Sequence, residues 1–163
     1  MLCYIKIKMP TFNLSCYRQL VAKTDCLTSK NEDFFTDPIF LELLSLESSL
    51  QTQIFYNNKN NYFTLIQKYL DEIINPYVFR AKFIEMVNED MKKSHKILND
   101  FEELSTFWID LKLDEFCSLF ENIHETCFYA FEFEDEKNLV PEDKFCDSIQ
   151  KIFFKIQKYL DKR

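Results

Sequence analysis

The sequence predicts an all-α protein: an antiparallel bundle of four to five helices (residues 37–163) preceded by an irregular N-terminal arm (residues 1–36). Three observations lead there. Apolar residues recur at three- and four-residue steps in several stretches, the period of one helix face. The chain has no glycine, the residue that tight β-hairpins use most. Its 163 residues, 47% hydrophobic and 17% aromatic, suit one domain with a sizeable core.

The elements follow in order. Residues 1 to about 36 are polar and broken by Pro10 and Thr28-Ser29-Lys30-Asn31, with room for a short helix near Leu14–Val21. Asp37-Pro38 reads as an N-cap followed by proline at the first helical position. Ile39, Leu43, Leu46, Leu50 and Ile54 then carry a helix to about Phe55, and Asn57–Asn61 form a loop. Phe63, Ile66, Leu70 and Ile73 mark a second helix that stops near Asn75-Pro76. The third opens after Pro76, with Val78, Phe79, Phe83, Met86, Val87 and Met91 on its apolar face, and fades near Leu98. Asp100 caps a long, kinked fourth stretch that runs through Trp108, Phe116 and Phe120 to Cys127. Phe128–Glu136 alternates briefly, as an extended segment does. Pro141-Glu142-Asp143 opens the last helix, with Phe145, Ile149, Ile152, Phe153, Ile156 and Leu160 inward. The hexapeptide IQKYLD occurs at 66–71 and at 156–161. In so biased a composition, recurrence of a common amphipathic pattern explains this echo better than duplication of a helical hairpin.

Charge is unevenly placed. Residues 100–147 hold 15 Asp and Glu against 3 Lys, a net charge of −12, whereas the other 115 residues carry +5. Such a field attracts basic partners and repels nucleic acid and anionic membrane. The expected partner is therefore a basic protein, with no nucleic acid and no membrane. The residues singled out for that contact are Glu132, Glu134, Asp135, Glu136, Glu142 and Asp143, with Asp110 and Asp114 upstream. Aromatics interleave with carboxylates over Phe128–Glu136, a mixture that suits hot spots beside a charged rim. Without glycine there is no phosphate-cradling loop and no dinucleotide fingerprint. The six cysteines contain no CxxC pair, and the start MLCYIKIKMP is too short and polar for a signal peptide. Reduced thiols and a cytoplasmic setting are expected. The stroma or matrix is expected if the gene is organellar, because codon-AT-rich residues dominate while Gly, Ala, Arg and Pro together number only 10. No apolar run approaches the length of about 20 residues needed to span a bilayer.

Catalytic and metal chemistry find little support. Cys117, Glu121, His124 and Cys127 share roughly one helix face. A rise of about 1.5 Å per residue nevertheless separates the outer two by about 15 Å, far beyond one zinc ion's reach. Glu121-Asn122-Ile123-His124 supplies one half of a bundle carboxylate-metal motif, and the second half is missing. A dyad of Cys146 with His124 needs a proximity that spacing does not supply. His95 lies among Lys92, Lys93 and Lys96 on a solvated face. No enzyme activity, catalytic residue, metal or cofactor is expected. The alternatives kept open are an adaptor bundle whose acids serve solubility and, behind it, a metal- or thiol-dependent enzyme.

The stretch LIQKYLDEIINPYVFRAKFIEMVNED (65–90) resembles the colicin-D-type bacteriocin immunity family. It shows a helix, a break, and a helix opening on Phe79, Arg80 and Phe83 before Glu89-Asp90. LFENIHETCFYAFEFED and PEDKFCDSIQKIFFKIQKYL are similar to that family's acidic middle and closing helix. The resemblance implies a colicin-immunity-like helical bundle that neutralises a basic, tRNA-cleaving toxin domain by presenting acids in place of RNA. It transfers an acidic surface as a class and no inhibitory residue by position.

Overall fold

The computed structural model describes residues 14–28, 37–107, 109–110, 112–129 and 142–162. Among them are seven helices and no strand, so the protein is all-α. The helices are α1 (Leu14–Thr28), α2 (Pro38–Asn57), α3 (Lys59–Leu70), α4 (Pro76–Asn99), α5 (Phe101–Thr106), α6 (Asp114–Tyr129) and α7 (Glu142–Leu160). No helix among the described residues is long and apolar enough to cross a membrane.

The chain forms two compact units. One comprises Met1–Gln53 and Lys93–Leu111, the other Ile54–Lys92 and Lys112–Arg163. In the first unit, α1 packs on α5 and buries Tyr17 and Leu20. Helix α1 is nearly twice the length of the short helix expected near Leu14–Val21. It is tied down on one side, since Tyr17 donates a hydrogen bond to Glu47 (3.4 Å) and Cys16 approaches Glu42 (3.7 Å). Burial, then the Glu47 charge and hydrogen bond, push the Tyr17 phenol up to about 12. Asp37 and Asp100 cap as their positions suggest. The Asp37 carboxylate accepts from Ile39 N–H at 2.8 Å, and Asp100 accepts from Glu102 and Glu103 N–H at 3.1 Å each.

The second unit has an aromatic core. Phe120 of α6 stacks on Phe55 (centroids 4.7 Å apart) and meets Tyr62 edge-on (4.8 Å), with Phe83 and Phe116 beside it. Tyr69, Phe79 and Phe145 form a second cluster that joins α3, α4 and α7. The closing end of α7 meets the opening of α6, where Tyr159 donates to the Lys112 carbonyl at 2.8 Å. Arg80 caps the other end of α6, its Nε donating to Cys127 O at 2.7 Å and its Nη2 reaching Phe128 O at 3.5 Å. Such bonds satisfy carbonyls that a helix C-terminus leaves unpaired.

Several expectations shift. The asparagine-rich loop 57–61 shrinks to one turn residue, Asn58, because its side chain is held by Asp90 (2.9 Å). That bond offsets the poor helix propensity of asparagine. The inward face of α3 is Tyr62, Leu65, Ile66 and Tyr69, rotated from the face containing Phe63 and Ile73. Tyr62 goes inside because Asp90 accepts its hydroxyl at 2.8 Å. Ile73 lies beyond the helix end and is 68% exposed. The kinked fourth stretch is two separate helices, α5 and α6, since the chain leaves helical geometry at Phe107. Phe128 and Tyr129 are helical, not extended. The rest of that segment, 130–136, lies outside the described residues.

Candidate functional site

Helix α3 ends in a tight corner. Ile73 N–H reaches back to Lys68 O (2.9 Å) and Glu72 N–H to Tyr69 O (3.0 Å). This is the Schellman pattern, whose left-handed position normally holds glycine. Here Glu72 holds it, with φ of 57°. A non-glycine residue there costs about 1–2 kcal/mol. Asn75 then caps α4, its Oδ1 accepting from Val78 N–H at 2.9 Å, and Pro76 fills the first helical position. Helix α7 opens beside this corner with Glu142 and Asp143 in its first turn.

Together these termini enclose a cavity of about 450 Å³ whose lining includes Tyr69, Glu72, Asn75, Glu142, Asp143 and Cys146. Among the described residues, its lining holds three carboxylates and no cationic side chain. Tyr69 is 5% exposed, and its hydroxyl is shielded from solvent beside the Cys146 thiol. Burial, then the Cys146 thiol and the Glu142 carboxylate beside it, raise the Tyr69 phenol above its ordinary value. Exposed apolar side chains adjoin the lining in the chain, Ile73 at 68% and Tyr77 at 64%.

Of the acids expected to contact a partner, the structure brings Glu142 and Asp143 together and adds Glu72. Asp114 opens α6, whose closing end is the one next to the start of α7. It is therefore separated from Glu142 by the 16-residue length of α6, about 24 Å. Asp110 belongs to the other unit, where its backbone N–H donates to Gln53 Oε1 at 2.8 Å. Glu132, Glu134, Asp135 and Glu136 lie outside the described residues. Tyr69, Glu72 and Asn75 were not singled out by sequence. The one available signal was the Asn75-Pro76 stop, which places a corner but not what faces it.

The groups weighed for catalysis occupy different surroundings. Cys127 is fully buried in the aromatic core, and burial pushes its thiol up to about 12 against the opposing pull of Arg80. Cys117 is half-buried and donates to Glu121 at 3.5 Å. Burial lowers the His124 imidazole, while Glu125 and Glu121 pull it back up. Among the described residues no group of three or more His, Cys, Asp or Glu could hold a metal ion. A second groove of about 630 Å³, between α6 and α7, sets Lys151 and Lys155 opposite Glu125 and has no single sign of charge.

Cys127 yields a pH prediction. Its folded pKa lies above its unfolded value, so the neutral thiol stabilises the fold. That contribution is full below about pH 9 and is lost as pH rises towards 12. Replacing Cys127 by valine should flatten this alkaline loss in urea melts taken from pH 8 to 11. An unchanged slope would assign the loss to other groups.

No family model, curated protein or solved structure matches the chain.

Proposed function

We propose that this protein is a binding protein, not an enzyme, whose acid-lined end of the second unit docks a basic protein. In this reading the second unit is an antiparallel bundle, and its partner is a nucleic-acid-cleaving toxin domain held inactive in an immunity-like manner. The carrying observation is the convergence of Glu72, Glu142 and Asp143 on one cavity with no cation among its described lining residues. Two terms favour a cationic partner there. The three carboxylates draw positive charge from a distance, which raises association rate. Ile73 and Tyr77 offer apolar area for a contact that lasts, since lifetime depends on desolvated anchors. In sequence, the acids of residues 132–136 fall between the end of α6 at Tyr129 and the start of α7 at Glu142.

The residues that carry the family resemblance have structural work in this fold. Phe79 and Phe83 are fully buried, Arg80 caps α6, and Asp90 anchors Asn58 and Tyr62. The proposal therefore rests on the cavity and the charge, not on those positions.

The test is stopped-flow association of the full-length protein with a purified basic, tRNA-cleaving nuclease domain, alongside tRNA cleavage. Cleavage should fall as the protein is added. Glu142→Gln/Asp143→Asn should slow association about tenfold at low salt and flatten its salt dependence. Undiminished cleavage, or association indifferent to both salt and these acids, would overturn the reading.

A further inference from the structure

We propose that the outer face of α7 is a self-complementary seam through which two copies of this chain associate, with their α7 helices antiparallel. In that pairing Asp147 of each copy meets the partner's Lys158, Lys144 meets the partner's Asp161, and Lys151 meets the partner's Phe154. Glu72 and Glu142 lie outside the seam, so the inference stands whether or not a basic protein docks at the acidic cavity.

Helix α7 turns Phe145, Ile149, Phe153, Ile156 and Tyr159 inward, which leaves its opposite face to solvent. Along that face Lys144, Asp147, Lys151, Phe154, Lys158 and Asp161 follow at alternating steps of three and four residues, and all six are exposed. This is the spacing of the a and d positions of a coiled coil, which keeps side chains in one seam along a helix. Asp161 stands just past the helix end but keeps its register, its N–H bonding to Gln157 O at 3.0 Å. The seam is about 26 Å long at the helical rise. Among the described residues no hydrogen bond or ion pair holds any of the six side chains. Phe154 is 65% exposed, whereas Phe145 and Phe153, the other phenylalanines of α7, are buried. A groove of about 610 Å³ beside Phe154, lined also by Gln157, Lys158, Leu160 and Asp161, offers a facing helix a recess.

The order of charges selects the occupant. The steps of three, four, three, four and three read the same in both directions, so the seam is centred between Ile152 and Phe153. Turned about a two-fold axis at that point, Lys144 falls opposite Asp161, Asp147 opposite Lys158, and Lys151 opposite Phe154. Four of the six layers are then pairs of opposite charge, and the central two set an ammonium against an aromatic ring, which attracts it. A two-fold contact of this kind is isologous, each residue meeting its counterpart twice. Parallel pairing in register would instead set lysine against lysine and aspartate against aspartate, a repulsive arrangement. A uniformly acidic partner would meet Asp147 and Asp161, and a uniformly basic one would meet the three lysines. The helix dipoles also favour the antiparallel arrangement, since each positive end then lies beside a negative one. One helix face buries less than the roughly 1,200 Å² typical of stable assemblies, and exposed ion pairs are individually weak. The dimer is therefore reversible, populated at high protein concentration and sensitive to salt.

The experiment is sedimentation equilibrium of the full-length protein over a wide range of concentration, at low and at high salt. A monomer–dimer equilibrium is expected, with dissociation favoured by salt. Phe154→Ala should weaken the dimer about tenfold, because the ring is lost from both copies. Asp147→Lys should abolish it, since lysine would then face the partner's Lys158 on both sides of the axis. The double variant Asp147→Lys/Lys158→Asp restores opposite charges at both layers and should dimerise again. All three substituted positions face solvent, so unchanged melting curves are expected and show that the losses are not unfolding. A protein that stays monomeric at every concentration, a dimer indifferent to salt and to Asp147→Lys, or a charge-swapped variant that remains monomeric would overturn the seam.

Discussion

Phe120→Ala lowers the stability of the second unit by about 4 kcal/mol, the range for a fully packed aromatic truncated to a methyl group. The reason lies in what the ring touches. Phe55, Tyr62, Phe83 and Phe116 all have centroids within 6 Å of it, contributed by α2, α3, α4 and α6. Four rings cannot collapse into the vacancy together, so most of the cavity term persists. Aromatic pairing adds about 0.5–1.5 kcal/mol per well-placed pair beyond the buried area. Urea unfolding followed by far-UV circular dichroism should show the midpoint falling with an unchanged slope. Leu119→Ala, next in the chain but only half-buried, should cost markedly less. Equal losses at the two positions would mean that the core is not centred on Phe120.

Asp90→Ala is the second large effect, with an expected loss of about 2–4 kcal/mol for removing a buried, doubly bonded acceptor. One carboxylate oxygen, Oδ2, accepts from Tyr62 Oη at 2.8 Å and from Asn58 Nδ2 at 2.9 Å, and Asp90 is 8% exposed. Alanine leaves the Tyr62 hydroxyl buried without an acceptor and frees the turn between α2 and α3. Tyr62→Phe removes one donor and orphans nothing at the ring, so it should cost less, about 1 kcal/mol. The combined variant should be more stable than the sum of the single losses predicts, with a coupling of about 1–2 kcal/mol. Strict additivity in the same urea titrations would show that the hydrogen bond is not a shared support.

These residues also show how far a linear reading reaches. The helices of the second unit were legible because a helix buries one face, and burial imposes a period that survives in the order of residues. Phe79, Phe83, Phe116, Phe120, Ile149 and Ile156 were all placed inward from that period, and all are buried. Asp37 and Asp100 were legible as caps because capping is local chemistry, completed within three residues. Tyr62 and Tyr69 were not legible. A tyrosine ranks as amphipathic until its hydroxyl finds or lacks a partner, and for Tyr62 that partner lies 28 residues away. The extent of α1 was hidden for the same reason, since Tyr17 is held by a glutamate 30 residues on.

The candidate site divides along the same line. Composition and local spacing established an all-helical chain, a concentration of acids in residues 100–147, and Glu142-Asp143 at a helix start, because each depends only on neighbours within a turn or two. Which acids share a surface was settled by folding. Glu72 joins Glu142 and Asp143 around one cavity because a left-handed corner turns α3 away and brings α4 and α7 to the same end. Asp114 is carried a helix length away by α6, although it belongs to the same acid-rich stretch as Glu142 and Asp143. Charge adds up along a chain regardless of shape, but a binding site requires direction, and direction exists only once distant segments pack.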